Sequence, residues 1–130
     1  MRVYIDTVLV IYLVEQDPTF APSVEAWLQA HPCDLVASEL TRMETLIYPV
    51  RAGDVARIAD FEQFFATQVM EMVAFGRPIF DKAIEIRAAF PAIRTPDAIH
   101  LASAVVSGCD CFLTQDARLK RYSGIRVELI

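Results

Sequence analysis

The chain has 130 residues, 55% of them hydrophobic and 22% charged. That is enough apolar material for one buried core, too little length for two, and not the composition of a disordered chain. The formal net charge of −5, from 17 acidic against 12 basic residues, excludes binding a polyanion by broad neutralisation of its phosphates; any such contact has to be local, through carboxylate-held cations or an Arg-rich partner protein. No apolar stretch is long enough to span a bilayer, and the N-terminus lacks the basic, apolar and small-residue segments of a signal peptide, so a soluble, cytoplasmic single domain over residues 1–130 is expected.

Short apolar runs alternate with stretches of helical spacing, the pattern of parallel strands joined by crossover helices. "RVYI" (2–5) reads as a buried strand, followed by "VLVIYLVE" (8–15) and "APSVEAWLQAH" (21–31) as helices. "DLVAS" (34–38) is the next strand, and "SELTRMETLIY" a helix with Ser38 at its N-cap. "AGDVARIADFEQFFAT" is helical from near Gly53 or Asp54, with its aromatic residues expected to pack, and "VMEMV" (69–73) is a third strand. "GRPIFDKAIEIRAAF" is helical up to Pro91, and "TPDAIHLASAVVSG" has Thr95 as N-cap, Pro96 at the first helical position and Gly108 beyond the far end. "CFLT" (111–114), a short helix in "QDARLKRY" and a strand in "IRVELI" complete the chain. The class is α/β, a three-layer α/β/α sandwich around a mainly parallel sheet. Cys33, Cys109 and Cys111 lack C-x-x-C spacing and are expected to be reduced, buried thiols.

Asp6 interrupts an apolar run, and an ionised carboxylate there needs a compensating partner. In an open parallel sheet the ligand crevice lies at the carboxyl ends of the strands; Asp6 ends the first strand and Asp116 lies two residues past "CFLT". In "SELTRMETLIY", Leu40, Met43 and Ile47 form an apolar arc and Glu44 falls about 40° from Leu40, whereas Glu39 is about 140° from Glu44 and reads as a first-turn acid favoured by the helix dipole. Asp97 lies at the margin of the buried face of its helix, between Leu101 and Ala104, with His100 and Ser103 pointing away. His31 and His100 form no nucleophile or ligand pattern and are expected at the surface or in ordinary hydrogen bonds. Asp6, Glu44, Asp97 and Asp116 can therefore meet at one edge, where each would raise the pKa of the others unless a divalent cation compensates them. The competing explanation for Asp6 is a helix cap, and one oxygen can serve each role.

"VYIDTVLVIYLVE", "SELTRMETL", "TPDAIHLASAVVSGCDCFLTQDARL" and the terminal "GIRVELI" resemble, across nearly the whole chain, the PIN-domain ribonucleases, specifically the VapC-type toxins of bacterial toxin–antitoxin pairs. The resemblance implies a Mg²⁺- or Mn²⁺-dependent endoribonuclease with catalytic Asp6, Glu44, Asp97 and Asp116. Asp6 and Asp97 are then direct metal ligands, and Glu44 and Asp116 act through water or a second ion. It further implies Thr7 and Thr114 bordering the site, an RNA substrate and a VapB-like antitoxin that inserts a basic side chain among the acids; homodimers are common in the family, and no membrane partner is expected from the lack of a spanning apolar stretch. Arg94 and Arg118, with Lys120 and Arg121, are the nearest basic residues for substrate phosphates. Where the family commonly has a small polar residue after D-T, this chain has Val8. That keeps a second expectation alongside the first: a PIN-like scaffold that binds RNA or a partner protein without cutting. A D-x-D phosphatase is set aside, because the sequence reads Asp6-Thr7-Val8.

Overall fold

The computed structural model describes residues 1–130. Strands β1 (Arg2–Ile5), β2 (Asp34–Ser38), β3 (Glu71–Val73), β4 (Cys111–Thr114) and β5 (Arg126–Leu129) form one sheet of order β3-β2-β1-β4-β5. Every pairing is parallel, so the mainly parallel sheet expected from sequence is wholly so. Parallel strands covered on both faces read as unbroken apolar runs, which is why β1, β2 and β4 coincide with their predicted spans.

Alternation along β1 divides the core. Val3 and Ile5 face helices α1 (Thr7–Glu15), α2 (Ala21–Ala30), α3 (Glu39–Ala52) and α4 (Val55–Thr67), where Leu9, Val24, Leu46, Phe61 and Phe65 complete one apolar cluster. Tyr4 faces the other layer, α5 (Arg77–Ala89) and α6 (Thr95–Val106), and packs with Ile79, Ile86, Leu101 and Phe112. The aromatic run of α4 is thus packing material, as expected. No helix is long and apolar enough to cross a membrane.

Three local readings change. Helix α3 continues past Tyr48 through Pro49, which lacks an N–H to give to the ladder and crowds the carbonyl one turn back, and stops where Gly53 adopts φ 65°, a left-handed conformation open to glycine. In α6 the N-cap is Arg94, with Thr95 and Pro96 inside the first turn; first-turn N–H groups have no intrahelical partner, so proline fits there without loss. The apolar arc proposed for α3 is also wrong. Met43 and Ile47 are 53% and 47% exposed, and the helix buries Leu40, Thr41, Thr45, Leu46 and Pro49 instead. The two threonines tolerate burial because each finds a partner: Thr41 closes a capping box with Ser38, and Thr45 donates to the Arg42 carbonyl at 2.9 Å. Cys111 is buried, whereas Cys33 and Cys109 are only half-buried, and all three thiols are free.

Candidate active site

The chain runs from β1 outward to β3, then returns to lay β4 on the opposite side of β1. The switch point of this sheet therefore lies between β1 and β4, and the crevice beyond their carboxyl ends is where an open α/β fold binds its ligand. Asp6 and Thr114 meet there. The Asp6 N–H bonds to the Leu113 carbonyl at 3.0 Å. The side chain is held twice: Oδ1 accepts from the Thr7 N–H at 2.8 Å, and Oδ2 accepts from the Thr114 hydroxyl at 2.6 Å. Asp6 is thus the N-cap of α1, and each oxygen keeps a lone pair for another partner. Val8 takes no part in this; it packs partly buried against the apolar layer.

Asp97, in the first turn of α6, is half-buried. Burial is the main cause of a raised carboxyl pKa, and the neighbouring charges of Asp6 and Asp116 push it further up against the weaker pull of His100 and Arg118. No hydrogen bond is among these influences. The three aspartates are therefore electrostatic neighbours at the switch point, and one of them has no partner within the protein.

Asp116 caps the 3₁₀ turn Ala117–Arg121 through the Arg118 N–H. The Arg118 guanidinium grips it as well, Nε donating to Oδ1 at 2.9 Å and Nη2 to Oδ2 at 2.6 Å. That grip chiefly holds the Asp116 carboxyl below its ordinary value, with Arg94 contributing through space. Arg94 and Arg118 are exposed, so the rim of the acid cluster carries positive charge despite the acidic chain; Lys120 and Arg121 are exposed as well.

Glu44 is linked to Asp6 through Thr7, whose N–H donates to Asp6 and whose hydroxyl donates to Glu44. Burial raises its pKa, but bonds from His100 and Thr7 outweigh that and leave it below the ordinary carboxylate range. The Thr7 hydroxyl donates to Oε1 at 2.8 Å, and His100 Nε2 lies 2.5 Å from the same oxygen. His100 corrects the sequence reading. It does not point away but is 2% exposed, and Ser103 is buried as well, donating to the Ile99 carbonyl at 2.8 Å. The wheel located the apolar residues of α6 but not what faced its polar ones; Tyr4, reaching up from β1, puts its hydroxyl 2.7 Å from His100 Nδ1, which makes a buried imidazole tolerable. The spacing Asp97-x-x-His100 places both on one helix face, the signal that could have found it. His31 is exposed and stacks on Trp27, and Glu39 is exposed, both as expected.

Tested as a metal centre, the donor set is one of hard oxygens with uncompensated mutual repulsion at Asp97, which suits a divalent cation bound by one or two carboxylates plus waters. As placed, no three His, Cys, Asp or Glu side chains enclose a single ion, and both oxygens of Asp116 are occupied by Arg118.

No curated protein matches the chain by sequence. Solved structures do match by shape. VapBC2 from Rickettsia felis, crystallised bound to a DNA fragment of its promoter, superposes with a TM-score of 0.77 at 13% identity, over 99% of this chain and 98% of that one. A toxin–antitoxin complex from Klebsiella pneumoniae gives 0.75 at 20% identity, over 98% and 99%. VapC20 from Mycobacterium tuberculosis, a sarcin-ricin-loop-cleaving toxin, gives 0.73 at 13% identity, over 95% and 98%. These likenesses establish the fold, and the family is given by sequence: the model of the PIN domain matches residues 3–125, nearly the whole chain, so with its wholly parallel sheet and its aspartates at the switch point the chain belongs to the PIN domain family.

Proposed function

We propose that this PIN domain is a VapC-type endoribonuclease, the toxin of a toxin–antitoxin pair, acting on RNA in the cytoplasm and dependent on Mg²⁺ or Mn²⁺. PIN nucleases generally use a divalent metal. The observation that carries the reading is Asp97: a half-buried carboxylate repelled by Asp6 and Asp116 and bonded to nothing in the protein is costly to the fold and serves a cation. The toxin assignment is supported by relatives of the same shape that are toxin–antitoxin complexes and an RNA-cutting toxin.

In this reading Asp6 and Asp97 are the residues that would hold the ion. When bound, it supplies Lewis-acid polarisation of a phosphate oxygen and a lowered pKa for a water. Thr7 and Thr114 fix the Asp6 carboxylate through its two hydrogen bonds. Glu44, ionised at neutral pH and held at Oε1, orients a water through its remaining oxygen. Arg94 and Arg118 draw the RNA backbone onto an otherwise acidic surface. Asp116 keeps Arg118 in place through the paired contacts to its guanidinium. A VapB-like antitoxin that presents a basic side chain to the same aspartates would compete with substrate and metal.

The test is RNA digestion by the purified protein with Mg²⁺ or Mn²⁺. Cleavage is expected, abolished by EDTA and by D6N or D97N. Absence of cleavage on every RNA tried, with RNA still bound, overturns the nuclease in favour of a binding scaffold. Failure of the neighbouring gene's product to relieve growth arrest overturns the toxin–antitoxin pairing alone.

A further inference from the structure

We infer that His100 is a positioning residue: it fixes the Glu44 carboxylate by one oxygen so that the other stays free. Its activity assay rests on the nuclease reading above. Four observations lead there.

The ring is almost wholly buried and is bonded at both nitrogens, Nε2 to Glu44 Oε1 at 2.5 Å and Nδ1 to the Tyr4 hydroxyl at 2.7 Å. An ionised carboxylate oxygen can only accept, so Nε2 is the donor in that pair. Glu44 receives its second donor, the Thr7 hydroxyl, on the same Oε1 at 2.8 Å. Its Oε2 has no hydrogen-bond partner in the protein, although the side chain is about one-third exposed. Two donors converging on one oxygen fix the rotation of a carboxylate and reserve the other oxygen for a ligand from solution.

The support for His100 is built with equal care. Tyr4 stacks on Phe112 with ring centroids 5.2 Å apart, and its hydroxyl lies 2.7 Å from Ser38 Oγ. Ser38 is in turn locked to Thr41 by the capping box of α3. A chain of buried polar contacts therefore runs from Ser38 through Tyr4 and His100 to Glu44, joining β2, β1, α6 and α3. No buried polar side-chain atom in the molecule is left unsatisfied. If α6 needed only apolar packing at this point, a leucine would supply it without any of these partners.

Three variants test the role against simple packing. Leucine removes both bonds. Glutamine carries an amide nitrogen that reaches the position of Nε2, whereas asparagine reaches only as far as Nδ1 and loses Glu44. With unfolding followed for each, H100L and H100N are expected to lower kcat by about 10- to 100-fold with KM for RNA unchanged, and to weaken Mn²⁺ binding, measured calorimetrically without RNA, by a similar factor. H100Q is expected to recover most of both. The double variant of H100L with E44A should be no worse than E44A alone, because the two act as one unit. Equal turnover and Mn²⁺ affinity in H100Q, H100N and wild type overturns the inference, as does a multiplicative loss in the double variant; the glutamine and asparagine pair decides the matter if H100L does not fold. A wild type that cuts no RNA, yet whose Mn²⁺ affinity falls in H100N, refutes the nuclease and keeps His100. One that cuts RNA equally well with and without the histidine refutes His100 and keeps the nuclease.

Discussion

Thr114 is wholly buried, and its hydroxyl serves two partners: it donates to Asp6 Oδ2 at 2.6 Å and accepts from the Asp116 N–H at 3.0 Å. Replacing it with valine keeps the shape and the methyl and removes both bonds. A hydrogen bond to an ionised group is worth about 1.5–3 kcal/mol and a neutral one about 1 kcal/mol; allowing for water reaching half-buried Asp6, T114V should destabilise the fold by about 2–3 kcal/mol. At about 3–4 °C per kcal/mol for a chain of this size, Tm should fall by about 6–12 °C. T114S keeps the hydroxyl and loses only a methyl, about 1 kcal/mol. Urea unfolding of T114V, T114S, D6A and the T114V/D6A pair gives the magnitudes directly, with a coupling of about 1–2 kcal/mol between the two sites. A T114V loss under about 0.5 kcal/mol, or one no larger than that of T114S, would refute the account of Thr114 as the clamp on Asp6.

Asp97 carries a prediction of opposite sign. Its folded-state pKa lies above the unfolded value, so the stability its protonated form contributes is complete below the unfolded value and is lost as pH rises through the folded one. D97N escapes that loss: it should be more stable than wild type at neutral pH by about 0.5–1 kcal/mol, the scale of a half-exposed charge interaction, with the difference closing in acid and cleavage abolished. Equal stability at neutral pH would mean that the aspartates do not repel. R118Q should change folding free energy by less than about 1 kcal/mol, because the pair with Asp116 is exposed, while raising KM for RNA more than it lowers kcat; an intact KM would remove Arg118 from substrate binding. F61A should cost about 3–5 kcal/mol in urea unfolding, since Phe61 fills the layer under α4; a cost below about 1 kcal/mol would contradict its burial.

The runs 2–5, 34–38 and 111–114 were legible in the sequence because strands buried on both faces leave no polar alternation to confuse, and strand ends alone put Asp6 and Asp116 at the same edge. The ends of α6 were nearly legible from Pro96 and Gly108, whose backbone preferences are local. What a one-dimensional reading could not supply was the neighbour on the other side of each face. A helical wheel gave directions for Met43, Ile47 and His100, but whether a direction is core or solvent depends on which element packs there, and all three came out reversed. The order of strands made the difference at the site. Only with β4 returned beside β1 does Thr114 reach Asp6, and only with Tyr4 beneath α6 does His100 find a partner that lets it hold Glu44. Local chemistry chose the acids; contacts between residues far apart in the chain, 108 positions for Thr114 with Asp6 and 56 for His100 with Glu44, decided how the Asp6 and Glu44 carboxylates are held.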